Sequence, residues 1–188
     1  LGDLDADGDL DVVRSNVWFE NSDRGTKWSM HTMTEPWGAK DPPFAVNATQ
    51  TRTVDLNRDG RLDVVICDGE NPNAKTAWLE APADPRNGKW IKHPLPRGDD
   101  ATRGAMHSLA VADLDNDGDV DIFTVEMEEF PGSRPPRWFI WENVDGKGKL
   151  AERVILDANL GGHETVAGDV DGDGDIDLCS KPWSAGKG

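Results

Sequence analysis

The sequence predicts an all-β fold assembled from repeated four-stranded units, and three observations carry that expectation. The string DLDADGDLD at 3–11 returns as DLNRDGRLD at 55–63, DLDNDGDVD at 113–121 and DVDGDGDID at 169–177. The runs that flank each copy are short, rich in Val, Ile and Leu, and not helical in pattern. The copies recur every 52 to 58 residues, and a fixed long period marks a repeat architecture.

One period contains four strands in order. The first is TRTV, SLAVA or ETVAG, which ends at the acidic string. The second leaves that string as LDVV, LDVVI, VDIFTV or IDLC. The third carries WFEN (18–21), WLEA (78–81) and IWEN (140–143), aligning Glu20, Glu80 and Glu142. The fourth opens on KW (27–28), KW (89–90) and KL (149–150), and places His31, His93 and Arg153 in one column of the outermost strand. SDRGTK, ADPRNGK and VDGKGK are the turn-rich connections between strands three and four. Four short antiparallel strands per period of about 55 residues, repeated radially, make β-propeller blades. Residues 1–188 therefore read as a single β-propeller fragment of three full blades plus part of another.

Each acidic string is a loop with carboxylates at positions 1, 5 and 9, and at position 3 a carboxylate or, in Asn57, an amide oxygen, that converge on one point. Anions that close repel one another unless a cation neutralises them. The donors are hard oxygens, so the expected ion is calcium, which accepts 6–8 oxygens in flexible geometry. The expected metal set is Asp3, Asp5, Asp7, Asp9 and Asp11; Asp55, Asn57, Asp59, Arg61 and Asp63; Asp113, Asp115, Asp117, Asp119 and Asp121; and Asp169, Asp171, Asp173, Asp175 and Asp177. Position 7 is expected to offer only its backbone carbonyl, which is why Arg61 can stand there. Gly8, Gly60, Gly118 and Gly174 at position 6 allow the sharp turn. The second loop carries the least charge and is expected to be the weakest site. An EF-hand needs Glu at position 12, where this chain has Arg14, Ile66, Thr124 and Ser180.

Loops and WFEN…KW hairpins together resemble VCBS/FG-GAP repeats, the calcium-loop blades of integrin-α-type propellers. Neither FG nor GAP occurs in the sequence, so the bacterial-type VCBS repeat is the closer match. A closed propeller takes more blades than this. The chain is therefore read as a piece of a larger protein, a processed product or a partial gene, with remaining blades or another chain covering its end faces.

The net charge is −16, and half of the 36 acidic residues sit in the four loops, so much of the acidity is metal demand. Nucleic acid and anionic membranes are excluded as partners on that balance, and no apolar run long enough for membrane insertion is present. Extracellular calcium suits such sites, so a secreted, extracellular or periplasmic location is expected. Cys67 and Cys179 are expected to be buried free thiols.

The first strand of each blade lines the channel, and the acidic loop caps one end of it. His107 and His163 stand six residues before Asp113 and Asp169, at the other end of neighbouring inner strands, with Glu164 following. Equal offsets put both imidazoles at one height, as ligand-site residues, as strand caps bonded to backbone, or as catalytic or metal-binding groups. Segments 34–50, 96–106 and 126–137 converge on that rim, where ligands bind by default. Trp37, Trp138 and Trp183 lie outside the blade-packing columns and are further ligand candidates. RGD at 97–99 is read as a chance match, and NAT at 47–49 as a glycosylation sequon.

Two function classes follow. One is a calcium-stiffened module that binds carbohydrate or an extracellular protein. The other, implied by the resemblance, is an enzyme on carbohydrate, a polysaccharide lyase or one like aldos-2-ulose dehydratase, with His107 or His163 abstracting a proton. A lyase acting on a uronic-acid polymer would reveal itself by the ultraviolet absorbance of its conjugated product.

Overall fold

The computed structural model describes residues 1–35, 49–69, 76–96, 105–127, 135–158 and 160–181. All regular structure there is β. The first sheet holds β1 (Val12–Arg14), β2 (Val17–Ser22) and β3 (Lys27–Thr32) in that order. The second is β4 (Thr49–Val54), β5 (Asp63–Asp68), β6 (Thr76–Glu80) and β7 (Ile91–Pro94). The third repeats it with β8 (Met106–Ala112), β9 (Asp121–Glu126), β10 (Trp138–Asn143) and β11 (Leu150–Leu156). The fourth holds β12 (Glu164–Gly168) and β13 (Asp177–Lys181). Every pairing is antiparallel between chain neighbours, as in propeller blades, although the described strands make no closed barrel.

The acidic loops at 55–63, 113–121 and 169–177 each join the first two strands of a sheet. The loop at 3–11 leads into β1, and a bridge between Gly2 and Asp11 closes its base. Inner strands pack side by side, β4 against β8 and β8 against β12.

The core lies between blades. Trp18, Val64, Ile66, Leu79 and Trp90 fill the space between the first two sheets. Val65, Cys67, Trp78, Leu109, Ile122 and Trp141 fill the next, and Ala110, Phe123 and Val125 the one after, with Ala167 and Leu178 against them. Alternate residues of β5 thus face opposite neighbours, and both β5 and β9 are buried from end to end. That is why DVVICD and DIFTVE lack polar alternation: a strand covered on both faces reads as a continuous apolar run. Each fully buried Val or Ile contributes about 1.5–3 kcal/mol.

One expectation is corrected. Cys67 is buried, but Cys179 is exposed. It lies in β13, whose sheet has only two strands among the described residues, so its outer side is uncovered.

Candidate functional site

One hydrogen-bond scheme builds all four acidic loops. The position-1 carboxylates of Asp3, Asp55, Asp113 and Asp169 accept the amides of Gly8, Gly60, Gly118 and Gly174 at 2.9–3.1 Å. At position 5, Asp7, Asp59, Asp117 and Asp173 accept the amide two residues on at 2.8–3.0 Å. Position 9 closes the loop. Asp11, Asp63, Asp121 and Asp177 accept the position-2 amide at 2.8–3.2 Å. In three blades the second oxygen also accepts an amide at the end of the third strand, from Asn21, Ala81 or Asn143, at 2.8–2.9 Å.

The backbone turns through left-handed residues to do this. The position-6 glycines have φ of 85–97°. Position 4 is left-handed as well: Ala6 at 59°, Arg58 at 58°, Asn116 at 60° and Gly172 at 81°. A side chain there costs about 1 kcal/mol, so three of the four loops carry strain that the sequence reading did not anticipate.

Carboxylate oxygens at positions 1, 3 and 9 lie within 4.8 Å of one another in three loops: Asp3, Asp5 and Asp11; Asp113, Asp115 and Asp121; Asp169, Asp171 and Asp177. In the second loop Asn57 replaces one carboxylate with an amide. Burial raises the carboxyl pKa of Asp11 and Asp121 and pushes that of Asp63 up to about 7, against the lowering effect of the amides they accept. Asp113 Oδ1 is buried with no hydrogen-bond partner among the described residues. Crowded, desolvated carboxylates and an orphaned oxygen, all hard donors, fit a hard divalent cation.

The side chains at position 7 are engaged away from the position 1, 3 and 9 group. Asp9 accepts from the Arg24 amide at 3.2 Å, and Arg61 donates to the Ala81 carbonyl at 3.0 Å while pairing with Asp59. Asp119 pairs with Arg58, and Asp175 accepts from Asn116, each at 2.5 Å.

At the far end of the inner strands, the rings of His107 and His163 stack with centroids 4.1 Å apart and 29° between planes. A register shift between Met106 and Ser108 leaves His107 as the extra residue of a bulge. Its Nδ1 donates to the His163 carbonyl at 3.3 Å, and the His107 carbonyl accepts from Gln50 at 2.5 Å. Both rings are half-buried, and β8 spans about 20 Å from them to its acidic loop. Glu164 is exposed and pairs with Lys181 at 3.7 Å. Trp138 lies edge-on to Phe123, with centroids 5.5 Å apart, and its indole N–H donates to the Leu160 carbonyl at 2.7 Å. Trp37, Trp183, RGD at 97–99 and most of the three rim segments lie outside the described residues.

The outer columns are paired. Glu20 meets His31 at 2.7 Å, Glu80 meets His93 at 2.8 Å, and Glu142 pairs with Arg153. His31 and His93 also stack on Trp18 and Trp78.

A family comparison gives this recurring scheme its context: the FG-GAP-like repeat matches residues 55–124 and 129–180. The chain belongs to the FG-GAP-like repeat family. No curated protein and no solved structure shows a significant match.

In this FG-GAP-like chain the first matched span takes in two acidic loops and the second a third loop. Three residues beside the loops escaped the sequence reading. Arg86, from the connection between β6 and β7, reaches Asp5 at 2.5 Å and Glu20 at 3.0 Å, and with His31 holds the Glu20 carboxyl below its usual range. Arg58 and Asn116, both at position 4, reach into the next loop. Aligned, position 4 reads Ala6, Arg58, Asn116 and Gly172, a variable column whose reach into the next loop shows only once the blades are packed.

Proposed function

We propose that this FG-GAP-like chain is a calcium-binding propeller-type module that works outside the cytoplasm and binds carbohydrate or an extracellular protein. The observation that carries the calcium reading is the carboxylate group at positions 1, 3 and 9, repeated in three loops with one hydrogen-bond scheme and an orphaned oxygen in the loop at 113–121. Bound calcium would neutralise these carboxylates. The chain's own contribution is to hold the position-1, 3 and 5 oxygens on one side of the turn through amides of the same loop.

The ligand reading rests on the opposite end. His107 and His163 bring two half-buried imidazoles together at neighbouring inner strands, and the exposed Glu164, paired with Lys181, follows His163 in the chain. Flat rings beside hydrogen-bonding groups suit a sugar or a peptide. Calorimetric titration of chelator-stripped protein with calcium tests the first reading, and saturable heat is expected. Titration of the calcium-loaded protein with neutral and acidic polysaccharides tests the second. Absence of calcium heat would overturn the metal reading, and absence of any polysaccharide heat would leave protein partners as the class to screen.

A further inference from the structure

The acidic loops are wired to one another. Arg58 sits at position 4 of the second loop, and its guanidinium donates to the Gly118 carbonyl and pairs with the Asp119 carboxylate at 2.5 Å. Those are positions 6 and 7 of the third loop. Asn116 sits at position 4 of the third loop, and its amide donates to Asp175 at 2.5 Å, position 7 of the fourth. The same relationship thus occurs twice, across two consecutive blade boundaries. The remaining boundary has no such loop-to-loop link: the contact that crosses it, Arg86 to Asp5, comes from the β6–β7 connection rather than from the second loop. Position 4 of the first loop is Ala6, which has no donor, and position 7 of the second is Arg61, which has no acceptor and folds back onto its own loop.

The backbone explains the aim. Left-handed φ at Arg58 and Asn116 turns these side chains out of their own loops. Position 4 lies between positions 3 and 5, both expected ligands, so ordering those ligands fixes the position-4 backbone. Position 7 is where the ion is expected to take a backbone carbonyl, so clamping its side chain restricts the direction of that carbonyl. Gly146, at φ 61°, makes room for the clamp: a Cβ there would lie 2.5 Å from the Asp119 carboxylate oxygens. The Arg58–Asp119 pair is electrically neutral, so it adds no net repulsion between cations in neighbouring loops.

We infer that Arg58 and Asn116 are positioning residues that couple the second, third and fourth loops, so that these bind calcium cooperatively while the first loop binds independently. This rests on the calcium reading above. Linkage requires the coupling to run both ways between partners.

The test resolves each loop through its position-6 glycine, whose amide donates to the position-1 carboxylate. Backbone amide shifts of Gly8, Gly60, Gly118 and Gly174 are followed by NMR as calcium is added to the full chain. In the unsubstituted protein, Gly60, Gly118 and Gly174 should titrate together with a slope steeper than single-site binding, and Gly8 separately. Arg58→Ala should raise the calcium midpoint at Gly118 about tenfold, within the usual range of coupling between sites, and leave Gly8 unmoved. Arg58→Lys, which keeps the charge and a donor, should recover part of that loss. Asn116→Ala should do the same at Gly174, which keeps the test intact if one variant folds poorly. Normal titration of all four glycines with an unchanged Gly118 midpoint in Arg58→Ala and an unchanged Gly174 midpoint in Asn116→Ala overturns the coupling alone. Failure of any glycine to respond to calcium in the unsubstituted protein overturns the metal reading and the coupling together.

Discussion

His107 and His163 come from strands 56 residues apart in the chain, yet their imidazoles stack at 4.1 Å and one donates to the backbone of the other. Such a stack, half-exposed, is worth about 0.5–1.5 kcal/mol. His163→Ala should therefore move the melting point by no more than about 6 °C in a chain this long, and should abolish binding of a carbohydrate or protein ligand. Loss of stability with binding retained would make the pair a strand cap held by the His107–His163 backbone bond.

Calcium should stabilise the fold strongly. Ions that bind only the native loops add about 2.7 kcal/mol per site at 100 times Kd. Melting followed with calcium and then with excess chelator should show a large drop in midpoint. A midpoint that ignores the chelator would remove calcium from the account of this chain.

Positions 3 and 7 should behave differently. Asp115 belongs to the carboxylate group with Asp113 and Asp121. Asp9 is tied to the Arg24 amide instead. Asp115→Ala should weaken calcium binding at its loop by tenfold or more, about 1.4 kcal/mol, and Asp9→Asn should change its loop little. Equal losses in calorimetry would contradict the assignment.

The repeat was legible because it is enforced locally. The Asp-x-Asp-x-Asp-Gly pattern writes an entire loop into nine residues, and DVVICD and DIFTVE announce strands buried on both faces. What remained hidden depends on contacts between blades. Arg58 looks like one more surface cation until the neighbouring loop is brought beside it. Arg86 is 81 residues from Asp5 in sequence, with no spacing rule to connect them. Cys179 follows the same kind of apolar run as Cys67, but burial of β5 comes from neighbours on both sides, and a run of residues cannot report how many neighbours its sheet has. The His107 bulge left no mark on the sequence either, because HSLAVA carries no Gly, Pro or other residue that announces one.

The two cysteines should separate chemically. Cys67 is buried, its Sγ lies 3.0 Å from the Met106 carbonyl, and burial pushes its thiol up to about 12. Cys179 is exposed. A thiolate is the reactive species, so a disulfide reagent at neutral pH should titrate one thiol in the native chain and both after denaturation. Two rapid native thiols would mean that the interface between β5 and β8 opens.

Position 9 should matter even without metal. Asp121 is buried, and its two oxygens accept the Leu114 amide at 3.0 Å and the Asn143 amide at 2.9 Å, tying the loop to the end of β10. Removing it breaks two hydrogen bonds to a charged group, each worth about 1.5–3 kcal/mol, and strands two amides. The cost of burying that carboxylate, visible in its raised pKa, offsets part of the loss. Asp121→Ala should therefore cost about 2–4 kcal/mol in excess chelator. Asp177 supplies the internal comparison: it is exposed and accepts the Val170 amide at 2.9 Å. Asp177→Ala should cost under about 1 kcal/mol under the same conditions, because water replaces what an exposed carboxylate gives. Denaturant unfolding of both variants with chelator present measures the difference. If the two substitutions cost the same, position 9 acts only through the ion, and the strut from loop to third strand contributes nothing of its own.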